Sequence, residues 1–229
     1  MTITKKWPLD AVLFDLDGTL VDTAPDFILC VNALCRQHGI EPPDAMVFRT
    51  QVSHGASAMI QTAFNITPED DRLPGLITEF LALYENNICV ESKLFDGFDE
   101  LLTQLDEHGI VWGIITNKPR RFAAPLVEAL KLNSACLICP DDVEQRKPHP
   151  ESMDLACTQL SLTATNCLYV GDHRRDIEAG KAANMYTAAA AFGYVDPSDP
   201  AGEWRADFYA STPASLQTIL NTHFDVTLT

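Results

Sequence analysis

The sequence predicts an α/β fold: a parallel sheet flanked by helices, with a small helical domain inserted after the first strand. Three observations carry this. Short apolar runs recur along the chain, with helical patterns between most of them. The alternation lapses once, over about 70 residues that show helical periodicity and too many apolar residues for a loop. Polar clusters follow several of the apolar runs, which is where an open parallel sheet binds its ligands.

The first strand is expected over residues 11–16 and runs into "VLFDLDGTLVDT" at 12–23. There Asp15 and Asp17 bracket Leu16. Side chains alternate faces along a strand, so a strict strand would set both carboxylates on one face. They would repel there unless a cation or a proton were shared. Gly18 lets the backbone turn sharply. For this stretch alone, a strand ending in an Asx-rich turn is the plain alternative.

From residue 23 to 92 the pattern is helical. Phe27, Ile28, Val31, Leu34 and Cys35 recur at helical spacing, followed by "ASAMIQTAF" and "LITEFLALYENNI". The expected division is therefore a core of residues 1–22 and 93–229 and a cap of residues 23–92. No internal repeat or low-complexity segment interrupts either.

The alternation then resumes. "FDELLTQLDEHG" places Phe98, Leu101, Leu102 and Leu105 on one helix face and stops at Gly109. Strands are expected at 110–115, 135–139, 167–170 and 185–191. Thr116 and Asn117 follow the first of these, and Asp172 and Asp176 follow "CLYVG". Lys147 lies between the two, in "RKPHP". Singly, each cluster has an ordinary explanation: a helix N-cap, a solvated lysine, a first-turn acid. Together at one sheet edge they predict a site.

Composition bounds what that site handles. The 229 residues are 46% hydrophobic, enough for a large domain with an insertion. The formal charge of -16, from 32 acidic and 16 basic residues, argues against nucleic acid or an anionic membrane as partner. An anionic substrate would need a locally positive site. The N-terminus does not read as a signal peptide, and no run reaches membrane-spanning length. Seven cysteines, scattered and odd in number, suit a reducing cytoplasm. Cys136 and Cys139 form a lone C-x-x-C, read as small hydrophobes of a buried strand because no second ligand pair accompanies them.

The chemistry these groups fit is phosphoryl transfer. A carboxylate can serve as nucleophile and form an aspartyl-phosphate. Asp15 and Asp172 would supply oxygen ligands for magnesium, which needs only one or two carboxylates. Thr116 and Lys147 would hold phosphate oxygens. Asp17 would protonate the leaving alkoxide and then activate water. A metal and Lys147 would offset the repulsion of the opening pair.

The order D-x-D-G-T, hydrophobic-T-N, K-P, G-D-x-x-x-D resembles the phosphatase branch of the haloacid dehalogenase superfamily over the whole chain. The resemblance implies a Rossmann-like core with a helical cap after the first strand. It implies Asp15 as nucleophile, Asp17 as acid/base, and Thr116, Asn117 and Lys147 as the phosphate site. It implies a Mg2+ site of Asp15, the backbone carbonyl of Asp17 and Asp172, supported by Asp176. "DTAPDF", "SKLFDG", "WGIITNKP", "LICPDDV", "RDIEAG" and "FGY" bring the chain near phosphoglycolate phosphatases. They bring it nearer still to bacterial N-acetylmuramic acid 6-phosphate phosphatases of cell-wall recycling. The partner implied is a small phosphate monoester bearing a carboxylate, with the protein a monomer or homodimer. His173 departs from the pattern, where an acid is expected after Asp172.

A dehalogenase of this fold needs neither Asp17 nor magnesium. A phosphomutase keeps both aspartates but releases no inorganic phosphate. A non-catalytic binding protein would tolerate loss of a catalytic residue, and none is missing. Substrate choice is expected in the cap, where Arg49, Ser53, His54 and Gly55 precede a helix; an ordinary N-cap at Ser53 is the alternative. Arg174 and Arg175 either lend the site positive potential or are solvated or paired with nearby acids.

Overall fold

The computed structural model describes residues 6–228. Residues 1–5 and 229, which belong to the expected core span and to the N-terminus expected to lack a leader, lie outside the described residues.

The strands are β1 (Ala11–Phe14), β2 (Val21–Asp22), β3 (Lys93–Leu94), β4 (Val111–Ile115), β5 (Leu137–Ile138), β6 (Cys167–Gly171), β7 (Tyr186–Ala190) and β8 (Phe208–Ala210). The helices are α1 (Ala24–Gln37), α2 (Ala45–Arg49), α3 (Ala56–Phe64), α4 (Leu73–Glu85), α5 (Phe98–Glu107), α6 (Arg120–Ala129), α7 (Glu151–Leu160), α8 (Arg174–Ala182) and α9 (Pro213–His223).

Six strands form one sheet in the order β5-β4-β1-β6-β7-β8, all pairings parallel. Ala11, Val12, Leu13 and Phe14 are all buried, as a strand covered on both faces requires, so the run is unbroken rather than alternating. Val12 and Phe14 pack with Leu101 and Leu105 of α5, Leu126 of α6 and Leu220 of α9. Ala11 and Leu13 face the other way, toward Met153 and Ala156 of α7 and Ala179 of α8. From β1 the chain moves outward to β4 and β5, then returns to β6 on the opposite side of β1. The strand order therefore reverses between β1 and β6, and such a reversal opens a crevice at the carboxyl ends.

Helices α1–α4 lie between β2 and β3, which pair antiparallel as a two-residue ribbon. They build their own core: Phe27, Val31 and Leu34 of α1 meet Phe48, Ile60, Phe80 and Tyr84. Phe27 and Tyr84 stack at 4.2 Å. Phe122 of α6 and Tyr194, from beyond β7, complete it. At the stem, buried Asp26 accepts hydrogen bonds from the Glu91 backbone N–H at 2.6 Å and from the Ser92 hydroxyl. These bonds satisfy a carboxylate that burial would otherwise penalise.

Three features depart from the expectations. The ribbon β2–β3 and the edge strand β8 were not foreseen; two- and three-residue strands carry no readable periodicity. The first strand ends at Phe14 rather than residue 16. The chain turns there: Leu20 N–H reaches the Asp15 carbonyl, Val21 N–H the Leu16 carbonyl, and Gly18 N–H the Val21 carbonyl. Gly18 adopts φ +81°, a region that disfavours side chains. Asp15 and Asp17 therefore do not share a strand face. Cys136 and Cys139 flank β5 as buried free thiols, and burial pushes both up to about 11. Among the described residues, no helix is long and apolar enough to cross a membrane.

Candidate active site

Asp15 leaves β1 with its N–H still bonded to the Val170 carbonyl at 2.9 Å, which fixes it at the carboxyl edge of the sheet. Thr116 is fixed likewise by its N–H on the Ile138 carbonyl at 2.9 Å. Asp172 follows β6, where Gly171 ends the strand. A Cβ on Gly18 would come within 2.2 Å of Asp172 Oδ2, and one on Gly193 within 2.3 Å of Asp172 Cβ. The two glycines thus admit Asp172 against the turn after β1.

Lys147 ties these parts together. Its Nζ is buried and stands 3.0 Å from Asp15 Oδ1 and 2.7 Å from Asp176 Oδ1. It donates to the Ile115 carbonyl at 2.9 Å and to the Tyr169 hydroxyl at 2.7 Å. Burial opposes the ammonium, but Asp15 and then Asp176 outweigh it, and the Lys147 pKa is raised. Asn117 donates its side-chain amide to the Lys147 carbonyl at 3.0 Å, so it braces the lysine's backbone.

Asp17 turns the other way. Its Oδ1 accepts from Lys118 Nζ at 2.8 Å and from the Thr23 hydroxyl at 2.6 Å. Lys118 is buried, with its ammonium 4.7 Å from the centroids of both the Phe27 and Tyr84 rings. Burial disfavours its charge; Asp17 and Tyr84 more than compensate, and its pKa rises. Sequence reading missed Lys118. It directly follows the Thr-Asn pair, but its aromatic partners are distant in the chain and give no local signal.

The donor set fits a hard cation. One carboxylate oxygen each from Asp15, Asp172 and Asp176 lies within 4.8 Å of the others, and Asp172 and Asp176 are buried. Asp15 Oδ1 and Asp176 Oδ1 are buried without a well-directed hydrogen bond, although Lys147 reaches both as an ion pair. Burial, with Asp15 and Asp176 beside it, pushes Asp172 up to about 8. Burial pushes Asp176 up to about 6, against the pull of Lys147. Burial and the crowding of three carboxyl groups around one ammonium raise the pKa of Asp172 and Asp176, a cost that an oxygen-ligated divalent cation would relieve. The Asp17 side chain is outside this trio and is held by Lys118 and Thr23.

Asp172 Oδ2 accepts from Tyr194 N–H at 2.8 Å and from the Ser53 hydroxyl at 3.0 Å. Asp176 Oδ2 accepts from His173 N–H at 3.0 Å, while His173 Nδ1 accepts from Arg175 N–H at 3.2 Å, a reciprocal cap on α8. His173 thus performs the N-capping that the expected acid would.

Above the carboxylates lies a cavity of about 590 Å³. Asp15, Asp17, Thr116, Asn117 and Lys147 all line it, with Ser53, His54 and Gly55 from the segment between α2 and α3. Arg49 does not join them: its guanidinium makes a bidentate pair with Asp22 at 2.9 and 3.1 Å and stacks over Tyr194 at 4.7 Å. Arg174 pairs with Asp199, whereas Arg175 lines the cavity and donates to the Ser53 carbonyl.

Residues 12–190 match the family model described as haloacid dehalogenase-like hydrolase. An N-acetylmuramic acid 6-phosphate phosphatase of Pseudomonas putida is 45% identical over 215 residues, covering 93% of this chain and 96% of the relative. A phosphoglycolate phosphatase of Xanthomonas campestris pv. campestris is 40% identical, covering 90% of this chain and 94% of the relative. The crystal structure of a predicted phosphoglycolate phosphatase from Haemophilus somnus 129pt shares the fold at a TM-score of 0.81. It is 24% identical and covers 92% of this chain and 97% of its own. With its carboxylates gathered at the reversal of a parallel sheet and this match over most of its length, the chain belongs to the haloacid dehalogenase-like hydrolases.

Proposed function

We propose that the protein is a magnesium-dependent phosphomonoesterase that hydrolyses a small, carboxylate-bearing phosphate ester through an aspartyl-phosphate. N-acetylmuramic acid 6-phosphate is the substrate proposed, on the similarity to the Pseudomonas putida enzyme of that name. The observation that carries the reading is the divergence of the two aspartates. Asp15 meets Lys147 and Asp17 meets Lys118, both beside one cavity. Residues 1–22 and 93–229 act as the catalytic core and residues 23–92 as the cap that closes over the substrate.

The Asp15 carboxylate attacks phosphorus; the new O–P bond forms as the bond to the sugar oxygen breaks. Thr116, Asn117 and Lys147 hold the phosphate oxygens during transfer. Asp17 gives its proton to the leaving alkoxide, then takes one from the water that attacks the phosphoenzyme, which returns Asp15 and releases phosphate. Asp15, Asp172 and the Asp17 backbone carbonyl, supported by Asp176, would hold magnesium, which supplies positive charge to the phosphate. Lys118 and Thr23 orient Asp17.

A phosphate-release screen over small phosphomonoesters, with N-acetylmuramic acid 6-phosphate and 2-phosphoglycolate included, tests this. The former should give the highest kcat/KM. Highest activity on 2-phosphoglycolate would favour the reading suggested by the Xanthomonas relative. Release from neither would refute the substrate class.

A further inference from the structure

The cavity's cations are not equivalent. The chain has twice as many acidic as basic residues, 32 against 16, yet five basic side chains line this one space: Lys118, Lys147, Arg121, Arg146 and Arg175. Three are engaged. Lys147 is matched by Asp15 and Asp176, Lys118 by Asp17, and Arg175 by the Ser53 carbonyl. Arg121 and Arg146 have no ion pair among the described residues; Arg121 only lies over the Phe122 ring, 4.4 Å from its centroid. The contrast with Arg120 is direct. One position earlier on α6, it is bonded to Asp142 and to the Leu137 carbonyl and is not part of the lining.

Position gives these two arginines their meaning. Arg121 is in the first turn of α6, after β4, and Arg146 precedes Lys147 on the segment after β5. Both therefore rise from the same sheet edge as the phosphate-holding groups, on the β4–β5 side. Phe27, Val52, Met59, Leu81 and Tyr84 of the helical insertion add apolar lining to the same cavity. A ligand suited to this space carries a second anion besides its phosphate, and some apolar surface. Guanidinium groups suit a planar carboxylate, which they bind in bidentate fashion.

We propose that Arg121 and Arg146 form the subsite that recognises the substrate's carboxylate. The inference rests on the phosphatase reading above and adds to it the residues that set specificity.

The test compares two pairs of esters: the sugar pair differs by a lactyl ether that bears the carboxylate, and the two-carbon pair by a carboxylate in place of a methyl. One pair is N-acetylmuramic acid 6-phosphate and N-acetylglucosamine 6-phosphate; the other is 2-phosphoglycolate and ethyl phosphate. The wild-type enzyme should favour the carboxylate-bearing member in kcat/KM. In the double variant Arg121→Gln/Arg146→Gln that preference should fall about tenfold or more, through KM. Arg121→Lys/Arg146→Lys should restore part of it. An unchanged preference in the glutamine variant would overturn the proposal, and so would an equal loss on both members of each pair, which marks a phosphate or structural role. If the wild type hydrolyses the two-carbon pair and not the sugar pair, the substrate reading fails while the subsite is judged on 2-phosphoglycolate alone. Release from none of the four esters ends both.

Discussion

Lys118 Nζ stands 2.8 Å from Asp17 Oδ1, and that contact holds the Asp17 carboxylate apart from the cluster that contains Asp15. Asp15 belongs to Lys147 and the carboxylate cluster; Asp17 belongs to Lys118, Thr23 and the aromatic pair Phe27–Tyr84. The aromatic rings come from the helical insertion and the lysine from the loop after β4. The orientation of Asp17 therefore depends on how the insertion sits on the core.

Lys118→Met should uncouple this arrangement. It leaves the Asp17 carboxylate partly buried without its cation, at a cost of about 2 kcal/mol in a urea melt. It should lower kcat about 100-fold on a sugar phosphate by releasing the general acid from its position. A fully active variant would mean that Thr23 alone orients Asp17.

Asp15→Asn should abolish turnover, since an amide is a poor nucleophile and a weaker metal ligand. Steady-state phosphate release is the measurement. Turnover within tenfold of wild type would remove Asp15 from the mechanism.

Chelation of divalent metal should silence the enzyme, and magnesium should restore it. Calcium should restore little, because its larger and more flexible shell spoils the in-line geometry. Full activity in metal-free protein would assign the acidic cluster a structural role only.

His173 gives a pH prediction. Burial, with Arg175 and His54 nearby, lowers its pKa from 6.5 to about 3, and its Nδ1 must stay unprotonated to accept from Arg175 N–H. The unfolded chain takes up a proton below pH 6.5 that the folded chain refuses. Stability is therefore complete above the unfolded value and is lost as pH falls toward the folded one. Allowing for partial exposure, the loss at pH 5 is about 1 kcal/mol. His173→Asn keeps an N-cap and removes the titration, so the gap between melting temperatures at pH 7 and pH 5 should narrow. An unchanged gap would show that His173 titrates normally.

Much of this was legible in the sequence. Asp15, Thr116 and Asp172 each follow an apolar run, and a parallel sheet places such residues at one edge. Lys147 was legible as part of the same set. Contacts between segments far apart in the chain were not. Arg49 reads as a residue of substrate choice ahead of a helix, yet Asp22 and Tyr194 take it up from positions 27 residues before and 145 residues after it. Lys118 carries no signal of its own in the sequence, because Phe27 and Tyr84, which lie beside its ammonium, are distant in the chain. The turn at Asp15–Asp17 is a middle case: Gly18 signals it, but the direction of each carboxylate is set by lysines 101 and 132 residues downstream.

The division of labour between Asp15 and Asp17 is tested most directly by a burst experiment on Asp17→Asn with an activated aryl phosphate. That leaving group departs with little protonation, so the first step should survive in the variant. The second step needs Asp17 to deprotonate water and should slow by about 10²–10⁴-fold. The expected record is one rapid equivalent of phenol per active site, then a slow steady rate, with a sugar phosphate impaired from the first turnover. No burst, with aryl and sugar phosphates slowed alike, would contradict the account and leave Asp17 a structural or metal-holding residue.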